Sequence, residues 1–486
     1  MALDVYIEGA YAGVLSEIRG HVRFEYSDEY RSSSGTPLSL SMSPIEARHD
    51  GEYVRSWIDN LLPDSEETRT SIAQKFDSRA IDAYSLLHHI GVDVAGAVQF
   101  VPEGDELDTR GELMEWTTAR IAAEIDRLRA NPAAVDEDAE VGHWSLAGQH
   151  GKFALARAQG GWAEPNGVLA STHIFKVGMN HLSGSDLAEF VTMRVARAMG
   201  LSVAGVELEQ FHGRTAVVVQ RYDRVTRDGR AVRVHQEDLC QALGVRGADK
   251  YESDGGPSLA QASALLARRV SSDDLERSIL EFARLQAFNI AVANTDAHGK
   301  NTSLLLRGSR VRLAPACDLI SGALVWDPTR VWFKGKMAMK IGGDYRLQRM
   351  TSARLERTAS ALGVGAEGFM STVGEYARQW GEVVSRVLTE AGEAGAERNA
   401  VSTMRGQAQE WADLVSRELG GYDPGVPLVV APGGAFSEAF SSAFDTGRRA
   451  SPSDRTCDAY IARTRSRCVL PVGHPGWPAR GHRSAK

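Results

Sequence analysis

A long apolar helical pattern that stops in a tight polar loop and runs straight into a hairpin constrains this chain more than any other feature. The loop is Asn294-Thr295-Asp296-Ala297-His298-Gly299-Lys300-Asn301. It places a carboxylate, Asp296, five positions before a carboxamide, Asn301. Phosphoryl transfer needs such a pair: a base to orient a hydroxyl nucleophile, and a neutral oxygen to help hold magnesium. Taken alone, the same residues also suit an ordinary hydrophilic helix-to-strand connection.

The hairpin adds a geometric argument. Residues 302–307 and 310–314 flank Gly308-Ser309, a two-residue turn that closes antiparallel strands. The register predicts Arg307 opposite Arg310, Leu304 opposite Leu313 and Asn301 opposite Ala316. Asp318 then becomes a diagonal neighbour of Asn301, roughly 7–8 Å away along the sheet and within side-chain reach. Both are hard oxygen ligands suited to magnesium. Pro315 weakens the last rungs.

At 486 residues the chain exceeds one compact core, so two or three domains are expected. Hydrophobic content of 43% and charged content of 24% fit a globular protein. A net charge of −8 argues against broad nonspecific nucleic-acid binding. No signal peptide or membrane span is visible, and 4 cysteines make no disulfide framework, so a cytoplasmic location is expected.

Short strand-like runs (Val5–Ile7, His21–Phe24) and a helix near Val54–Leu62 predict a small α+β domain up to about Pro102. An acidic helical linker over 103–140 completes a unit spanning 1–138. The expected core covers 139–422, strand-rich over about 139–224 and helical over about 225–422. Beyond Tyr422, Pro, Gly, Ala and Ser predict a loosely ordered tail, 423–486.

The strand-rich segment carries the other half of a nucleotide site. Ser145-Leu146-Ala147-Gly148-Gln149-His150-Gly151-Lys152 precedes an apolar strand. Small residues let backbone N–H groups approach phosphates, and Lys152 adds charge; an ordinary turn before a strand reads the same way. Lys176 interrupts the apolar strand His173–Val177, which is costly unless the ammonium is paired. Its candidate partner is Glu189 on the helix Asp186–Met199, as in the lysine–glutamate pair of protein kinases. Glu189 fits equally well as an N3 capping residue behind Asp186. The crossing segment Gln220-Arg221-Tyr222 leads into the helical half, where backbone groups can face adenine and Tyr222 can close that pocket or serve as core.

The ordered set Ser145–Lys152, Thr172–Lys176, Gln236–Gln241, Lys250–Pro257, Asn294–Asn301 and Cys317-Asp318 resembles the HipA family, kinase toxins of bacterial HipBA-type toxin–antitoxin modules. Pro37–Ser41 and Leu61–Asp64 extend the likeness, which covers roughly the first 420 residues. The resemblance implies an α+β, two-lobed protein-kinase-like fold with an added N-terminal α+β subdomain. It implies an ATP- and Mg2+-dependent serine/threonine kinase with Asp296 as base and Asn301 and Asp318 as metal ligands. Lys176 then contacts phosphates, and the loop Ala147, Gly148, Gln149, His150, Gly151 and Lys152 covers them. His298, Gly299 and Lys300 line the phosphate side, and Gln220, Arg221 and Tyr222 the adenine side. Autophosphorylation at Ser145 would eject the covering loop, because a phosphoserine adds about −1.5 to −2 charge and competes for the same cations. Ser145 by itself reads equally as a turn serine. The covering loop departs from the family's usual Gly-Ala-Gln, reading Gly148-Gln149-His150-Gly151.

Implied partners are a small helix-turn-helix antitoxin and, through it, operator DNA, with an aminoacyl-tRNA synthetase or another translation protein as substrate. Two competing roles use the same scaffold: a co-repressor with secondary catalysis, and a small-molecule kinase. In the tail, Cys457, Cys468, His474 and His482 can close a tetrahedral Zn2+ site, although their spacing follows no zinc-finger pattern and a disordered basic tail competes.

Overall fold

The computed structural model describes residues 2–135, 151–178, 184–227 and 229–431. The chain starts as a five-stranded antiparallel sheet in the order β4-β3-β2-β1-β5. Its strands are β1 (Leu3–Ile7), β2 (Ala10–Ile18), β3 (His21–Tyr26), β4 (Arg48–Asp50) and β5 (Val98–Pro102). Leu3, Val5 and Ile7 alternate into a core shared with Trp57 and Ile58 of the helix Glu52–Asp59.

A second sheet follows, built from β6 (Leu113–Trp116), β7 (Lys152–Ala158), β8 (Gly161–Pro165), β9 (His173–Lys176), β10 (Val206–Phe211) and β11 (Arg214–Gln220). Its order is β10-β11-β9-β7-β8-β6. The expected acidic linker is thus part of this layer. β6 pairs with β8, and the helix Thr118–Ala130 packs Ile121, Ile125 and Leu128 against Phe153 and Phe175. The unit expected to end at 138 therefore gives way to the strand-rich layer near residue 113. Burial of Ile121, Ile125 and Leu128 outweighs the acidity of the segment around them.

The middle of β11, residues 216–219, is apolar because both its faces are covered. Ala216 and Val218 face the helix Thr118–Ala130, whereas Val217 and Val219 face the helical lobe. The same alternation on β9 sends Phe175 into one core and aims Lys176 at the cleft between the lobes. In the helical lobe, Ser272–Ala291, Ala366–Glu393 and Arg398–Leu419 pack around the fully buried Trp380 and Trp411. Trp411 Nε1 donates to the Ala291 carbonyl at 2.9 Å, pinning the helix end that leads into the polar loop.

The hairpin register is as expected where it persists: Leu304 faces Leu313 and Arg307 faces Arg310. The further rung does not form. Gly299–Asn301 is a 3-10 turn, and Ala316 instead pairs with the segment around Val203, exchanging bonds with Ser202 and Ala204. Pro315 offers no N–H to the hairpin, so the ladder stops there and the chain turns to a different partner. Residues 423–431, placed in the loose tail by composition, are partly anchored: Gly365 donates to the Val429 carbonyl and Ala431 to that of Gly363, each at 2.9 Å. No helix among the described residues is long and apolar enough to cross a membrane.

Candidate active site between the lobes

The cleft between the second sheet and the helical lobe holds a cavity of about 830 Å³. On its sheet side, Lys176 Nζ donates to Glu189 Oε1 at 2.5 Å and to Asp318 Oδ1 at 2.7 Å. Glu189 lies on the helix Ser185–Ala198, which starts after Gly184, so the N3 capping alternative does not hold. Burial disfavours the lysine charge, but the Asp318 and Glu189 carboxylates outweigh it and hold its pKa above the ordinary lysine value. Lys152 stands directly across from Lys176 on β7. Burial and the neighbouring Lys176 ammonium lower its pKa to about 8.

On the helical side the chain leaves the helix Ser272–Ala291 through Ala293, which takes a left-handed φ of 54°. Asn294 stitches this turn back to Asn289, donating from its backbone at 2.9 Å and its side chain at 3.0 Å. Asp296 then faces the cavity, and the Tyr251 hydroxyl donates to its Oδ1. Burial raises the Asp296 pKa, and the Tyr251 bond opposes that rise. Asn301 Nδ2 donates to the Asp296 carbonyl at 2.8 Å, so its amide nitrogen is committed and its oxygen is the group left to act as a ligand. Asp318 has a left-handed φ of 57° and a side chain that is 44% exposed at the cavity.

Asn301 and Asp318 therefore meet at one cavity, though through the turn and the strained Asp318 rather than through the expected ladder. Their donor set fits magnesium, which takes hard oxygen ligands and keeps waters and substrate phosphates in its shell. Among the described residues, no three His, Cys, Asp or Glu side chains gather as a self-contained metal site.

Three expected ligand residues have other duties in the structure. Arg221 turns its guanidinium away, donating to Asp223, to Ser171 Oγ at 2.9 Å and to the Val94 carbonyl at 2.8 Å. Only its chain position borders the cavity, because a buried arginine must find carboxylates. Lys300 lines the cavity but is bound to Asp64 Oδ1 at 2.6 Å. Gly299 is held by packing: an added Cβ would meet Cys240 Sγ at 2.7 Å and Pro257 Cδ at 2.8 Å. Tyr222 and Gln220 do border the cavity, and the Tyr222 hydroxyl donates to Gln236 Oε1 at 2.6 Å. His298 is buried edge-on against Tyr251, with its pKa lowered to about 3 by burial and by Lys250. Its Nδ1 has no partner among the described residues. Gly151 is buried and its carbonyl accepts from Val177 N–H at 3.0 Å. Ser145, Ala147, Gly148, Gln149 and His150 lie outside the described residues, as do Cys457, Cys468, His474 and His482.

Sequence reasoning assigned no role to Tyr251, Lys250 or Asp64, although all three fall inside strings that carried the family resemblance. Asp64 accepts from Lys250 at 2.8 Å as well as from Lys300, and the two ammonium groups overcome burial to hold its pKa at about 2. Trp326, Arg330, Lys334 and Lys336 line the far end of the cavity and are exposed.

A strand lysine paired to a helix glutamate, facing a loop aspartate and two oxygen ligands across an interlobe cleft, defines a two-lobed protein-kinase-like fold. The added five-stranded subdomain sets it apart within that class. Residues 3–101 match the family model of the HipA N-terminal domain, and residues 144–389 that of the HipA-like C-terminal domain. A Sinorhizobium fredii protein, Y4mE, whose name carries a provisional kinase designation, is 34% identical over 394 residues, covering 79% of this chain and 91% of its own. The serine/threonine-protein kinase toxin HipA of Shewanella oneidensis is 27% identical over 376 residues, covering 75% of this chain and 83% of its own. A solved Shewanella oneidensis toxin–antitoxin complex of HipA, HipB and operator DNA superposes with a TM-score of 0.68 at 25% identity, covering 85% of this chain and 99% of that one. The chain belongs to the HipA-like family.

Proposed function

We propose that the protein is an ATP- and magnesium-dependent serine/threonine protein kinase that serves as the toxin of a toxin–antitoxin module. The observation that carries this reading is Lys176, which bridges Glu189 and Asp318 in the cavity that Asp296 faces. In protein kinases this arrangement orients the nucleotide phosphates opposite the base. Lys176 and Lys152 bind phosphate oxygens. Gln220 and Tyr222 border the adenine. Asn301 Oδ1 and the Asp318 carboxylate would hold magnesium, which neutralises charge on the phosphates when bound.

Asp296 accepts the proton of an acceptor serine or threonine hydroxyl as its oxygen bonds to the γ-phosphorus. The bond from that phosphorus to the bridging oxygen breaks, and ADP leaves with the electron pair. Burial raises the Asp296 pKa, which makes its carboxylate a better proton acceptor. The Tyr251 hydroxyl holds one carboxylate oxygen and leaves the other for the substrate.

Family membership supports a helix-turn-helix antitoxin as partner, with operator DNA bound through it, and an aminoacyl-tRNA synthetase or other translation protein as substrate. It also supports Ser145 as a self-inactivating phosphorylation site. The test is transfer of labelled γ-phosphate by purified protein. Asp296→Asn should retain nucleotide binding while transfer falls roughly 10²–10⁴-fold. Undiminished transfer by that variant would remove Asp296 from the role.

A further inference from the structure

Asp64 belongs to the N-terminal subdomain, yet its carboxylate reaches the wall of the catalytic cavity. It accepts from Lys300 Nζ at 2.6 Å and from Lys250 Nζ at 2.8 Å. All three side chains are shielded, with exposures of 13% for Asp64, 5% for Lys300 and 11% for Lys250. Each lysine is the chain neighbour of a residue that grips the base. Lys250 precedes Tyr251, whose hydroxyl donates to Asp296. Lys300 precedes Asn301, whose amide holds the Asp296 carbonyl at 2.8 Å. The Gly299 N–H donates to the Lys250 carbonyl at 3.1 Å and ties the two loops together.

Two shielded ammonium groups this close repel unless a carboxylate lies between them. Nothing local supplies that carboxylate, because the acidic side chains nearest in sequence are otherwise engaged. Asp249, next to Lys250 in the chain, pairs with Arg246 at 3.8 Å, Asp296 is held by Tyr251, and Glu252 accepts from the Lys340 backbone. The charge comes from 186 residues upstream of Lys250. The segment that delivers it is itself fastened to the kinase core: Asn60 Nδ2 donates to the Val245 carbonyl at 2.9 Å, and Trp57 Nε1 to Glu237 at 3.2 Å.

We propose that Asp64 is a positioning residue for phosphoryl transfer. By clamping Lys250 and Lys300 it fixes Tyr251 and Asn301 on two sides of Asp296, and the N-terminal subdomain thereby completes the catalytic apparatus. Asp64 touches no reacting atom. This inference rests on the kinase reading above. Without the carboxylate the two lysines separate and can turn to nucleotide phosphates, so binding persists while the base loses its alignment.

The experiment uses the full-length protein and compares Asp64→Asn with Asp64→Glu. The asparagine variant should lose roughly 10²-fold in kcat, the scale of an ångström-sized misplacement, with KM for ATP unchanged or lower. The glutamate variant keeps the charge and should recover most of that loss. Wild-type kcat in Asp64→Asn would overturn the proposal. So would a parallel loss of kcat and ATP affinity that Asp64→Glu does not relieve, since that is the signature of a generally weakened fold. A second readout needs no turnover: acylation of Lys250 and Lys300 by an amine-directed reagent, followed by peptide mass spectrometry, should rise several-fold in Asp64→Asn. If wild-type protein transfers no phosphate to itself or to a generic acceptor protein, the kinase reading fails. The labelling then decides the clamp alone, and unchanged labelling overturns it.

Discussion

Lys152 and Lys176 stand directly opposite each other on adjacent antiparallel strands, both lining the same cavity. Like charges across a rung are destabilising, and Lys176 is compensated by Glu189 at 2.5 Å and Asp318 at 2.7 Å. Two ammonium groups on one rung place strong positive charge at the cavity wall.

The first prediction follows from the Lys152 pKa of about 8 in the free protein. A bound polyphosphate favours the ammonium and raises that value. Below pH 8 the lysine is charged with or without nucleotide, so affinity is flat. Above pH 8 binding must take up a proton, and affinity falls by up to about tenfold per pH unit. Calorimetry of ADP binding at pH 9, in buffers of different ionisation enthalpy, should detect this uptake, and Lys152→Met should abolish it. Identical heats in all buffers would refute the assignment.

Asp318→Ala should leave the Lys176–Glu189 pair intact while removing a hard oxygen ligand. Nucleotide affinity in the variant should therefore lose its dependence on added magnesium, whereas the native protein should bind ATP more tightly with the metal present. A titration showing equal magnesium enhancement in both proteins would exclude Asp318 as a ligand.

Asp93 joins Arg224 at 2.9 Å, Arg233 at 3.2 Å and Arg221 at 3.7 Å, all deeply buried. Despite burial, these arginines hold the Asp93 carboxyl well below the usual carboxylate range. Asp93→Ala strands buried guanidinium groups and should cost roughly 3–5 kcal/mol in urea denaturation. A loss under about 1 kcal/mol, typical of a surface pair, would show that Asp223 compensates alone.

Gly299→Ala places a methyl group 2.7 Å from Cys240 Sγ and 2.8 Å from Pro257 Cδ. Overpacking of this kind costs about 1–3 kcal/mol, and it displaces the turn that carries Asn301. Transfer activity should fall further than thermal stability does. Full activity in the variant would mean that the turn relaxes without moving the site.

Several features were legible in the chain because local rules govern them. The hairpin register followed from the Gly308-Ser309 turn and the period-two pattern. A charge set in an apolar strand called for a partner, and Glu189 was one of its two readings, the other an N3 cap. Other features depended on partners far away in sequence. The register failed at Ala316 because the competing partner, Ser202–Ala204, comes more than a hundred residues earlier. Arg221 was misread for the same reason: it sits beside Tyr222 in the chain, but its guanidinium reaches Val94 across 127 positions. The segment 113–130 reads as a linker until β8 supplies a strand for β6 to pair with.

By itself, the sequence placed the lysine and aspartate set and the polar loop, since spacing and burial pattern specify residues on one strand, helix or turn; the two-lobed plan came from the resemblance of its ordered motifs to the HipA family. The tertiary structure alone decided that Asp64 would stand between Lys250 and Lys300, a contact spanning 236 residues in one case. Packing of the first subdomain on the kinase core creates that carboxylate's surroundings, and no periodicity within either segment encodes them.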